Sequence, residues 1–224
     1  MTSDPPPKRH PYDQWVPDAR ALDLVGDKWT LLIIRDLAAG ARRFVELQRV
    51  LPGISTEQLR SRLKRMVADG LLTRERFREV PPRVEYALTE RAYDLLPVVG
   101  ALARWGQAWA WSPPREGEAI DIGAHFRVAP GLLTPDPSLS GEVELSVGGA
   151  SRPSVIELRD GRATVAERAA PGAASRVSGS RQAWIDALGP RHDRSGLRIT
   201  GDERLARSVL DGLAVNSSGV SAVA

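Results

Sequence analysis

The chain has 224 residues, enough for one or two domains with a sizeable core. It contains no cysteine, which excludes disulfides, thiolate metal sites and thiol-based redox sensing. The net charge of +3 conceals an uneven distribution: Arg42 to Arg83 carries 11 basic residues against 5 acidic ones, a local basic patch of the kind that meets nucleic acid.

Residues 1–14, opening MTSDPPPKRHPYD, are polar and proline-rich and read as a flexible segment without the apolar core of a signal peptide. No run of about 18 apolar residues follows, so no membrane span is expected and a cytoplasmic location is. Asp27 is placed to cap a helix carrying Trp29, Leu32, Ile33 and Leu37, and Gly40 offers its stop. A short helix from Phe44 to Leu51 ends in the Pro52-Gly53 turn. Ser55 then starts a basic helix, with Gln58 three residues on in a capping-box pattern. Leu59, Leu63, Met66 and Val67 form the apolar stripe of that helix, and Gly70 stops it.

Leu71–Arg78 and Arg83–Leu88 read as two strands joined by a turn over Glu79–Pro82, where Pro81 and Pro82 suit an exposed tip. Thr89 caps a long helix with Leu95, Val98, Val99, Leu102, Trp105 and Trp109, and Pro97 predicts a kink or local break in it. Residues 112–118, SPPREGE, read as a linker. Beyond it, Glu142–Val147 alternates as a half-buried strand does. Val155–Arg159 and Arg162–Glu167 flank Asp160-Gly161, a two-residue hairpin signal. Gln182–Leu188 reads as a helix and Leu197–Thr200 as a strand. Asp202 caps a last helix with Leu205, Val209 and Leu213, and residues 215–224 read as a tail.

A basic helix on a helical scaffold, followed by a basic hairpin, is a device for reading DNA. The candidate reading residues are Thr56, Gln58, Arg60, Ser61, Arg62, Lys64 and Arg65. Arginine can pair bidentately with guanine and glutamine with adenine, while threonine and serine reach phosphate or base edges. Ser55 is the helix cap, and its neighbouring amides could hold a phosphate. Arg43 is placed for a backbone contact or a surface ion pair. Arg76, Arg78 and Arg83 bracket the hairpin; Arg78 and Arg83 are taken as contacts, with Arg83 reaching phosphate or the minor groove from the tip. Only Lys8, Lys28 and Lys64 are lysines, so arginine is the habitual cation of the chain and any single Arg is weak evidence. Trp29, Trp105 and Trp109 read as core or interface residues. Trp184 is a core residue or the lining of a ligand cavity. His10, His125 and His192 lack metal-ligand spacing, so no metal and no cofactor is expected. No G-x-S-x-G and no phosphate-binding loop is present, and no enzyme is expected.

The block from Ala19 to Leu72, with G-D-K-W-T, R-R-F-x-E-L, L-P-G-I-S, L-x-x-R-L and D-G-L, followed by P-P-R-V-E-Y-x-L-T, resembles the HxlR family of winged-helix regulators within the wider MarR-like group. The resemblance implies a mainly α winged helix-turn-helix domain over residues 15–111. It also implies a homodimer with its basic helix in the major groove of a double-stranded DNA operator, and by default a repressor. The terminal helices of such proteins build the dimer interface, which here implicates Trp15, Leu22, Leu102, Trp105 and Trp109. Many members carry a cysteine just before the proline matched by Pro17; here that position is Val16. Residues 119–214 resemble, more loosely, the sterol-carrier-protein type 2 fold through RVSGSRQAWIDAL and LRITGDERLARSVLDGL. That likeness implies an α+β domain with an antiparallel sheet packed on helices and a possible apolar small-molecule effector. A purely structural or dimerising domain is the alternative.

Overall fold

A computed structural model describes residues 11–78, 82–149 and 152–214. The fold divides into two compact units between Leu95 and Leu96.

The first unit runs α1 (Pro17–Val25), α2 (Thr30–Leu37), β1 (Arg42–Arg43), α3 (Phe44–Val50), α4 (Thr56–Ala68), β2 (Leu72–Phe77), β3 (Arg83–Leu88) and α5 (Glu90–Tyr93). Asp27 accepts from the amides of Trp29 and Thr30 at 2.8 and 3.1 Å, which supplies the partners that the start of α2 lacks. The core is Ile33, Ile34, Leu37, Leu47, Leu51, Leu59, Leu63, Met66 and Leu71, each essentially inaccessible to solvent. Burying each such side chain contributes about 1.5–3 kcal/mol. Leu59, Leu63 and Met66 lie at i, i+4 and i+7 of α4, so one face of that helix is fixed to the scaffold. The small sheet has the order β1-β3-β2, with Leu72 opposite Leu88 and Arg74 opposite Tyr86. The two-residue β1, which pairs with β3, has no counterpart in the sequence pattern. The hairpin tip at residues 79–81, where the turn was expected, lies outside the described residues.

The second unit begins with α6 (Leu96–Trp109), followed by α7 (Ile122–Phe126), α8 (Ala129–Leu132), β4 (Gly141–Val147), β5 (Ser154–Arg159), β6 (Arg162–Glu167), β7 (Ser175–Gly179), α9 (Arg181–Leu188), β8 (Arg198–Gly201) and α10 (Glu203–Leu213). The single long helix expected after Thr89 is two helices, with the break at Asp94 and Leu95. Pro97 sits in the first turn of α6, where its missing N–H costs nothing. The division between units therefore falls before the 112–118 segment expected as the linker. Its reason is packing: α6 crosses α8 so closely that a methyl group on Gly100 would lie 1.9 Å from the carbonyl oxygen of Gly131.

The five-stranded sheet has the order β6-β5-β4-β7-β8. It is mixed rather than antiparallel as expected, because β7 returns beside β4 and runs parallel to it. Asp160 and Gly161 join β5 to β6 with φ of 50° and 72°, the two positive values of a type I′ turn. Val143, Leu145, Ile156, Leu158, Val165 and Val177 are buried on one face, and α7–α10 pack against the sheet. Two short helices, α7 and α8, precede the strands, whereas the sequence pattern points to strands first and helices after. Among the described residues, no helix is long and apolar enough to cross a membrane.

Candidate nucleic-acid interface

The start of α4 is held by a reciprocal cap. Ser55 Oγ accepts from the Gln58 amide at 3.1 Å, and Gln58 Oε1 accepts from the Ser55 amide at 3.1 Å. Gln48 of α3 donates to Thr56 Oγ1 at 2.7 Å and ties the two helices together. The capping box expected from the sequence is present, and it has a consequence for Gln58. Bidentate recognition of adenine needs both ends of the amide, and the oxygen is occupied by the cap.

The candidate cations divide by partner. Arg62 forms an ion pair with Asp27 at 3.1 Å, binding α4 to the start of α2. Arg65 pairs with the nearly buried Asp69 at 3.0 Å, holding the end of its own helix. Of these two candidate reading residues, Arg62 ties the helix to the scaffold and Arg65 pairs within its own helix. Arg60 instead pairs with Glu57 at 2.8 Å, and both side chains are well exposed. Ser61 and Lys64 are exposed as well. Glu57, Arg60, Ser61 and Lys64, at i, i+3, i+4 and i+7, form one solvent-facing row opposite the buried stripe.

The hairpin also separates its charges by face. Arg74 and Arg76 share a face with Leu72, Val84, Tyr86 and Leu88, as the pairing register requires. The opposite face holds Thr73, Glu75, Phe77, Arg83, Glu85 and Ala87. There Arg83 pairs with Glu85 at 3.1 Å and lies 4.3 Å above the Phe77 ring. Arg43 reaches the same Glu85 at 3.9 Å, and its amide donates to Glu46 at 2.7 Å. Arg83, expected as the tip contact, pairs with Glu85 and packs on Phe77. Arg78 is exposed beside the undescribed tip. Arg74 is not among the residues that the sequence pattern marks as contacts, although strand alternation from Leu72 places it on this face.

Other expected sites are placed as follows. Trp15, Leu22, Leu102, Trp105 and Trp109 are all exposed, and Val98, Leu102, Trp105 and Trp109 form one stripe along α6. Trp29 is buried. Trp184 has no exposed surface; its indole N–H donates to the Ser146 carbonyl at 2.9 Å and its ring meets Phe126 edge-on at 4.8 Å. That is a packed core, not the wall of an open ligand site. His125 Nε2 lies 2.9 Å from the Leu213 carbonyl, and His10 is outside the described residues.

A capped, tethered helix with an exposed basic row, set beside a two-stranded hairpin, defines a winged helix-turn-helix protein. The chain belongs to the HxlR-like helix-turn-helix family, whose model matches residues 24–113. It is 40% identical over 93 residues to an uncharacterised HTH-type transcriptional regulator of Synechocystis, covering 42% of this chain and 69% of that protein. It is 38% identical over 98 residues to another from Methanothermobacter thermautotrophicus, covering 44% and 75%. Among solved structures it is similar to the redox regulator HypR in its oxidized form, at 34% identity and a TM-score of 0.41, covering 44% of this chain and all of that one. It is also similar to the reduced form of the transcriptional regulator YodB from B. subtilis, at 30% identity and a TM-score of 0.40, over 45% and 100%. These similarities lie in a region of less than half the chain.

Proposed function

We propose that this chain is a DNA-binding transcriptional regulator that acts as a homodimer on a pseudo-palindromic operator, with repression as its default output. The observation that carries the reading is the Glu57–Arg60–Ser61–Lys64 row, exposed on a helix whose other contacts are used to hold it in place. The naming of its relatives as transcriptional regulators, not enzymes, supports it. In this reading Arg60 and Ser61 meet base edges, Lys64 and Arg78 meet phosphate, and Ser55 and Thr56 set the depth of the helix. The apolar stripe of α6 supports a dimer, since contiguous exposed aromatic residues mark association surfaces. The test is selection of bound fragments from sheared chromosomal DNA, followed by footprinting. Two protected half-sites about 34–36 Å apart, one helical turn, are expected; retention of all fragments alike would refute sequence reading.

For the second unit, the five-stranded sheet with helices on its buried face supports the sterol-carrier-like reading. Its role in this proposal is structural. Gly100 and Gly131 bring α6 and α8 into backbone contact, Arg104 donates to the Leu132 carbonyl at 3.3 Å, and Gln107 donates to the Leu188 carbonyl. The unit thereby fixes the helix that carries the proposed dimer stripe. An apolar effector draws less support: Trp184 is in the core, and the cleft of about 720 Å³ beside α10 is rimmed by Asp136, Glu203, Arg204, Arg207 and Asp211.

A further inference from the structure

Between α4 and the hairpin lies an open cleft of about 460 Å³. Its floor is Phe44, Val67, Val84 and Tyr86, and its rim is Arg60, Lys64 and Arg74, with no carboxylate among the lining residues. The rim cations are not equivalent. Arg60 has Glu57 as a partner. Lys64 and Arg74 make no hydrogen bond or ion pair among the described residues. Cations of one sign set around an apolar floor raise the local potential, because low-dielectric walls focus the field. An anion in the cleft would relieve that repulsion.

The geometry points to the sugar-phosphate backbone of duplex DNA as the occupant, with Lys64 and Arg74 as sequence-independent phosphate ligands and Arg74 as the contact that the hairpin contributes. This rests on the DNA-binding reading above. Three observations favour a continuous strand. The cleft is open rather than closed. It shares Arg60 and Lys64 with the exposed row of α4, so a strand whose bases meet that row carries its phosphates past the cleft mouth. Its apolar floor suits the C–H faces of deoxyribose between two phosphates. The register explains why the hairpin offers Arg74 rather than Arg83: Arg74 stands opposite Tyr86 on the face of the cleft, whereas Arg83 lies on the other face with Glu85 and Phe77.

The test is the salt dependence of binding to an operator duplex and to a random duplex, for the unaltered full chain, Lys64→Ala, Arg74→Ala, Arg74→Lys and Arg83→Ala. Each lost phosphate contact should reduce the slope of log K against log salt by about 0.9. A homodimer loses two such contacts with Arg74→Ala, so the advantage of the unaltered chain over that variant should shrink about 12-fold between 50 and 200 mM salt. Lys64→Ala and Arg74→Ala should weaken both duplexes by the same factor and leave their ratio unchanged. Arg74→Lys should keep the slope, and Arg83→Ala should not alter it. A steep slope in the unaltered chain that Arg74→Ala leaves intact overturns the inference while the DNA-binding reading stands. Loss confined to the operator duplex overturns it too, since it would make Arg74 a base reader. Failure of the unaltered chain to bind either duplex sinks the DNA-binding reading and the inference with it.

Discussion

Arg60, Arg62 and Arg65 lie within two turns of one helix, and each ends on a different carboxylate: Glu57, Asp27 and Asp69. Sequence spacing puts Arg60 and Arg65 away from the Leu59–Leu63 stripe and Arg62 beside it, but it does not reveal the partner of Arg62, because Asp27 is distant in the chain and reaches α4 only through the packing of the first unit. The partners predict opposite phenotypes. Arg62→Ala should lower the thermal midpoint of the first unit, with a loss of up to about 1 kcal/mol for a partly exposed pair, and leave operator preference intact. Arg60→Ala should leave the midpoint unchanged and cost about 1–3 kcal/mol of discrimination if it pairs bidentately with a base. Thermal melts and competition binding on the same two proteins check both. If Arg62→Ala relaxes sequence preference, the division between tether and reader is wrong.

At the scale of elements, the crossing of α6 and α8 is a backbone-to-backbone approach. A methyl group on Gly131 would stand 1.9 Å from the Leu96 carbonyl oxygen, so Gly131→Ala must push the two helices apart. Such overpacking costs about 1–3 kcal/mol or more. A lowered melting midpoint of the second unit and faster proteolysis near α6 are expected, read by calorimetry and limited digestion. The elements also differ in how far the sequence revealed them. α4 was legible because its stripe, its Ser55–Gln58 cap and its Gly70 stop agree locally. The β5–β6 hairpin was legible because Asp160-Gly161 leaves little choice of turn. β7 was not: SRVSG shows little apolar alternation, and its partner β4 lies about thirty residues earlier. α7 and α8, at 5 and 4 residues, are too short to display a helical period. The choice of hairpin face escaped the reading because it depends on register, and a shift of one residue exchanges Arg74 for Glu75.

At the scale of the whole molecule, the proposed homodimer makes the α6 stripe decisive. Trp105→Glu places a charge amid Val98, Leu102 and Trp109, which are exposed in the single chain. Sedimentation should then report a monomer. Operator affinity should fall on the order of 100-fold or more, because the second half-site is no longer bound intramolecularly. Affinity for an isolated half-site should be unchanged. A variant that remains dimeric would exclude this stripe as the interface, whatever α4 does on DNA.

The way α4 is mounted has one more consequence. Its position depends on Leu59, Leu63 and Met66 inside, on Ser55 and Gln58 at the start, and on Arg62 along its flank. None of these is Glu57, Arg60 or Ser61. The residues that would choose a DNA sequence can therefore be exchanged as a set without disturbing what seats the helix. A chain with new residues at 60 and 61 should fold as this one does and answer to a different operator, so that one scaffold serves as a mount for many addresses.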